Sequence, residues 1–159
     1  MEKEEKQAYS ARVVQANRTE LLVIVYEILE GELRQAFTAF EKEDFSGFDI
    51  ALQNAQKFLN ELMGTLNYQF RVSYQLLSIY RFINRTLIEC RLKKQRGDLQ
   101  VCIDMVDKLR SAYAKIAEQD NSAPLMENVQ KLYTGLTYGR QTLSEVSVDA
   151  GTGRRGFYA

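Results

Sequence analysis

The stretch Tyr74–Lys94, YQLLSIYRFINRTLIECRLKK, decides the fold. Leu76, Tyr80, Ile83, Leu87 and Cys90 recur at i, i+4, i+7, i+11 and i+14. That spacing makes a core-facing stripe sustained over several helical turns. Neither glycine nor proline interrupts it. The other side of the helix is not uniformly polar. Projected at about 100° per residue, Phe82 points away from the Tyr80–Leu87 line, and Tyr74 and Leu92 sit beside the polar edge. A helix that buries one face only would place lysine or glutamate there. This helix therefore reads as serving a core on one side and something apolar on the other.

Working outward, three more long segments show the same period. The first predicted helix runs from about Thr19 to Glu43, with Asn17 or Thr19 as its N-cap. Its core stripe is Leu22, Tyr26, Leu29, Leu33, Ala36, Phe37 and Phe40, and Gly31 inside it suggests close packing. The second runs from about Gly47 to Leu66, with Ser46 as N-cap. Asn67 to Arg71 breaks the pattern before the Tyr74–Lys94 helix, which ends toward Gly97 as a C′ residue. The last runs from about Asp98 to Glu118 on the stripe Leu99, Cys102, Ile103, Val106, Leu109, Tyr113 and Ile116. Short connections between long helices imply antiparallel neighbours. The expected fold is all-α, an antiparallel up-down four-helix bundle over residues 19–118.

The flanks read differently. Residues 1–18 are polar with isolated Tyr9, Val13 and Val14, and read as a mobile N-terminal arm. Residues 119–159 form a C-terminal extension. Leu125, Val129, Leu132 and Leu136 space as a short fifth helix over about 125–136. The glycine-rich segment from Thr137 reads as a flexible tail, extended or disordered.

Composition narrows the function. The 159 residues carry 21 basic and 21 acidic side chains, which argues against a broad nucleic-acid or anionic-membrane footprint. Histidine is absent, which removes the commonest general base and zinc ligand. No phosphate-binding glycine loop appears, so no catalytic residue, metal site or cofactor is expected. Cys90 and Cys102 fall on apolar stripes and read as reduced buried thiols, with a disulfide as the other reading. The polar start MEKEEKQAY has no signal-peptide core, and no apolar run is long enough to span a bilayer. A soluble cytoplasmic chain with no membrane insertion is expected.

The functional signal is the set of apolar residues outside the core stripes. These are Leu21, Ile24 and Ile28 on the first helix, Ile50 on the second, Tyr74, Phe82 and Leu92 on the third, and Val101 and Met105 on the fourth. A contiguous patch of this kind marks an interaction surface, and a groove between bundle helices receives an amphipathic helix. Single exposed apolar residues are ordinary, so the weight rests on the set. Arg81 and Arg85 at i, i+4 read either as a solvated face or as a paired anion site.

Two stretches resemble the FliS family of flagellar export chaperones. The family's entry to its first bundle helix, Thr-Ala-Ser-Pro-x-Glu-Leu followed by an apolar run ending in Leu-Tyr, is similar to Gln15-Ala16-Asn17-Arg18-Thr19-Glu20-Leu21 and then Leu22-Val23-Ile24-Val25-Tyr26. The family's Tyr-x-Tyr-Met-x-x-Arg-Leu-x-x-Ala-Asn is similar to Tyr80 through Arg91. Leu109-Arg110-Ser111-Ala112-Tyr113 is similar to the family's Leu/Phe-Arg-x-Ala-Trp, and Asn60-Glu61-Leu62 resembles its Glu-Leu position. The chain departs at Asn17-Arg18 for Ser-Pro, at Cys90-Arg91 for Ala-Asn and at Tyr113 for Trp.

The resemblance implies a cytoplasmic bundle that binds the C-terminal segment of flagellin, blocks premature polymerisation and delivers the subunit to the flagellar export apparatus. It implies that the off-stripe residues hold the client and that Tyr9 covers part of that surface when the client is absent. A homodimer through the same patch is left open. The alternative is a structural or adaptor bundle whose groove is filled by its own C-terminal extension.

Overall fold

The computed structural model describes residues 3–126. Within them the chain is all-α, with five helices and no strand among the described residues. They are α1 (Lys3–Gln15), α2 (Arg18–Glu41), α3 (Phe45–Gly64), α4 (Arg71–Lys93) and α5 (Leu99–Gln119). The reading of a helix through Leu136, and of the tail beyond it, lies outside the described residues apart from a helical Leu125–Met126.

The chain divides into two compact units. One is Arg18–Asn121; the other joins Met1–Asn17 to Ser122–Ala159. In the second unit, the stretch read as an arm forms α1. None of its residues is buried, so no apolar stripe announces it. Its helix rests on Lys, Glu, Gln and Ala propensity, with Glu4 and Glu5 in the first turn and Arg12 in the last, each suited to the helix dipole. Tyr9 is half-buried, with the Arg12 guanidinium 5.7 Å over its ring. The Leu125 amide donates to the Ala16 carbonyl at 3.1 Å.

In the larger unit, α2 packs along both α3 and α5, and α4 packs more sparsely against α3 and α5. Tyr26, Leu29 and Leu33 of α2 meet Phe48, Leu52 and Leu59 of α3, and all are sealed from solvent. Leu76, Tyr80, Ile83, Leu87 and Cys90 of α4 join them, as do Leu99, Cys102, Ile103 and Val106 of α5. Each such fully buried aliphatic or aromatic side chain contributes about 1.5–3 kcal/mol relative to exposure. Ile116, expected in this core, is 52% exposed near the end of α5.

Polar residues fix the alignment of the helices. Thr19 donates to Asp120 at 2.5 Å, the rings of Tyr26 and Tyr113 lie 5.6 Å apart, and Arg110 Nε donates to Glu30 at 2.8 Å. Along α2 these contacts ascend while along α5 they descend. Between α3 and α4, Arg91 Nε donates to Asp49 at 2.8 Å and Gln56 donates to Asn84 at 3.1 Å.

The helix starts differ in part from expectation. Asp44, not Ser46, caps α3: its carboxylate accepts from the Gly47 amide at 2.9 Å. The carboxylate crowds Gly47 so closely that a Cβ there would fall 2.2 Å from Asp44 Oδ2. Asp98 occupies the N-cap of α5 without a side-chain cap bond. Gly31 is not a close-packing site, because a Cβ there would meet nothing within 4 Å. Between α3 and α4, Asn67 organises the turn, accepting from Gln69 N at 3.0 Å through its side chain and from Ser73 Oγ at 2.6 Å through its carbonyl.

Candidate functional site

The faces of α4 are fixed by its partners. Asn84 and Arg91 reach Gln56 and Asp49 of α3. About half a turn away on the same helix, Thr86 lies beside Cys102 of α5. Ile79 and Phe82 share that α5-facing side. Both are half-buried and rest on the edge of the core.

The same construction orients α5. Arg110 binds Glu30 of α2, so its side of α5 faces α2. Val101, Met105 and Ile116 lie about half a turn from it, toward α4. Met105 is half-buried against the core, and Val101 and Ile116 are exposed. Ile79 and Phe82 on α4 and Val101, Met105 and Ile116 on α5 therefore turn toward the α4–α5 seam, one of the two sparsely packed seams of the bundle. The result is a line of apolar side chains along this seam, half-buried at Ile79, Phe82 and Met105 and exposed at Val101 and Ile116.

The seam is electrically quiet. Burial pushes the Cys102 thiol up to about 11, with the neighbouring Thr86 hydroxyl opposing that shift, so the thiol is neutral and inert. Burial likewise raises Cys90, whose Sγ donates to the Arg96 carbonyl at 3.1 Å. Both cysteines are free. Nearby on the core side, the hydroxyls of Tyr26 and Tyr80 hydrogen-bond to each other, and burial raises both phenols, Tyr80 to about 12. The chemistry available is apolar contact rather than acid–base or nucleophilic work.

Of the nine residues singled out by spacing, Phe82, Val101 and Met105 lie on the α4–α5 sides of their helices. The other six do not join them. Leu21 and Ile28 are half-buried on α2, and Ile24 is only 2% exposed, so a partner does not reach it in this state. Ile50 lies exposed on α3, and Tyr74 and Leu92 lie on the outer face of α4. Spacing also missed a second exposed group, Tyr68, Phe70 and Val72 around the α3–α4 turn, where the rings of Tyr68 and Tyr74 lie 5.4 Å apart. The signal was present as large apolar residues in a segment lacking helical period. No helix among the described residues is long and apolar enough to cross a membrane.

A helical bundle that leaves apolar side chains exposed along a seam between two of its helices belongs to the class of proteins that bind other chains. The family model described as flagellar protein FliS matches residues 1–120, and the chain belongs to this family of flagellar export chaperones. It is a family of chaperones, not of enzymes. No curated protein matches the chain. Residues 121–159 lie outside the matched region.

Proposed function

We propose that this protein binds the C-terminal segment of flagellin in the cytoplasm, keeps it from polymerising prematurely and delivers it to the flagellar export apparatus. The observation that carries this reading is the apolar α4–α5 seam, with Phe82 and Met105 half-buried at the edge of the core and Val101 exposed, in a protein of the FliS family; this seam is read as the client groove. The opposed pairings of α2 with α5 and of α3 with α4 support an antiparallel up-down four-helix bundle as its frame.

In this mechanism an amphipathic client helix lays its apolar face into the groove, anchored at i, i+3, i+4 and i+7 positions. Ordering a disordered segment costs about 2–5 kcal/mol, and several buried side chains at about 1.5–3 kcal/mol each offset it. Leu21, Ile28 and Ile50 extend contact around the bundle, and Ile24 joins only if its surroundings open. Tyr9 on α1 acts as the cover when no client is present.

Calorimetric titration of the full chain with the flagellin C-terminal segment tests the reading. One-to-one binding with a negative heat-capacity change is expected, as apolar burial requires. Binding unaltered by Phe82→Glu in a chain of unchanged helicity would contradict it.

A further inference from the structure

The outer face of α4, opposite its core stripe, carries a second pattern. Tyr74, Ser78, Arg81, Arg85, Ile88 and Leu92 follow one another at intervals of four, three, four, three and four. That is the spacing of a coiled-coil seam. All six are exposed, Leu92 at 79% and Tyr74 at 56%. The core stripe already accounts for the folding of α4, so nothing within the bundle requires apolar residues at these positions.

The charges on this helix are as uneven as those of the whole chain are even. α4 holds Arg71, Arg81, Arg85, Arg91 and Lys93 against the single acidic residue Glu89. Arg91 is committed to Asp49, and elsewhere in the bundle Arg34 and Arg110 are committed to Glu30. Arg81 and Arg85, one turn apart on the seam, make no ion pair among the described residues.

We propose that this face is a second docking surface, separate from the client groove, for an amphipathic helix of a protein partner. The seam of that helix carries apolar residues at both ends and a pair of carboxylates one turn apart at its centre. The guanidinium fork matches a carboxylate in two parallel hydrogen bonds, and apolar contacts at Tyr74, Ile88 and Leu92 exclude the water that would otherwise weaken the pairs. A nucleic-acid backbone or an anionic membrane satisfies the arginines, but neither calls for a heptad-spaced line of apolar side chains around them. The proposal goes beyond the flagellin reading and does not depend on the groove.

The probe is a synthetic amphipathic helical peptide with leucine at the outer seam positions and glutamate at the two central ones. Its binding to the full chain is followed by fluorescence anisotropy. Saturable binding that weakens with added salt is expected. The double variant R81E/R85E is expected to lose about tenfold or more, and a peptide with lysine in place of the glutamates to bind that variant instead. Leu92→Ser is expected to weaken the glutamate peptide several-fold, whereas Phe82→Glu leaves it unchanged. Circular dichroism confirms that each variant folds. The proposal is overturned if the wild type does not bind the peptide, or if R81E/R85E binds it equally well. It is also overturned if phosphatidylglycerol vesicles or duplex DNA bind with the same arginine dependence and no dependence on Leu92. Loss of the flagellin segment together with the peptide in R81E/R85E would make this face part of the client site, which also overturns it. Retention of flagellin binding there separates the two surfaces.

Discussion

Tyr26 and Tyr80 show how one pair of residues sets the interior. Both are sealed from solvent, and their hydroxyls satisfy each other across the bundle from α2 to α4. Tyr80→Phe leaves the Tyr26 hydroxyl buried without its partner and is expected to destabilise by about 1–3 kcal/mol. The double change to phenylalanine is expected to cost less than the sum of the single changes, as urea unfolding of the four-member cycle will read. The same burial predicts alkaline lability. Cys102 rises from 9.0 to about 11 and Tyr80 from 10.0 to about 12 on folding, both through desolvation. The folded state holds these protons more tightly than the unfolded one. Stability is therefore full below pH 9 and falls as pH rises from there toward 12, which unfolding midpoints across that range will show. The buried line Leu76, Tyr80, Ile83, Leu87 and Cys90 was legible from period alone. A stripe drawn through Tyr80 and Leu87 puts Phe82 too far from the core. The true buried arc widens to Ile79 and Thr86, which brings Phe82 to its flank. A narrow stripe on a helical projection cannot show how broadly neighbouring helices cover it.

At the scale of elements, the long helices were legible and their ends less so. Hydrophobic period locates a helix body, whereas an end depends on which side chain folds back onto the first amides. Ser46 and Asp44 are both good capping residues, and only geometry assigns the cap to Asp44. Gly47→Ala is expected to destabilise, because its Cβ would displace that capping carboxylate; loss of the cap costs about 0.5–2 kcal/mol by thermal unfolding. Gly31→Ala is expected to act oppositely. The position is exposed inside α2, and a Cβ there meets open space. A gain of about 0.5–1 kcal/mol should appear as a raised Tm. α1 escaped the sequence reading for a related reason. With no buried residue it carries no apolar period, and propensity alone marks it.

At the scale of the molecule, sequence conveyed that apolar residues were in surplus but not where they gather. Nine off-stripe residues looked like one set. Packing divides them, because α2 is held closely by α3 and α5 while α4 rests more loosely on its neighbours. That looseness is a property of paired helix surfaces and has no trace in the period of either one. It leaves Phe82 and Met105 half-buried at the edge of the core and Val101 exposed, while Ile24 on α2 is buried. The measurement that tests the central claim most directly is the calorimetric titration of the wild-type chain and the Phe82→Glu variant with the C-terminal segment of flagellin. The account predicts one-to-one binding by the wild type and a loss of about tenfold or more in the variant, equivalent to about 1.4 kcal/mol, with its helicity intact. Equal affinity in two equally folded chains would contradict the claim that the α4–α5 groove holds the client.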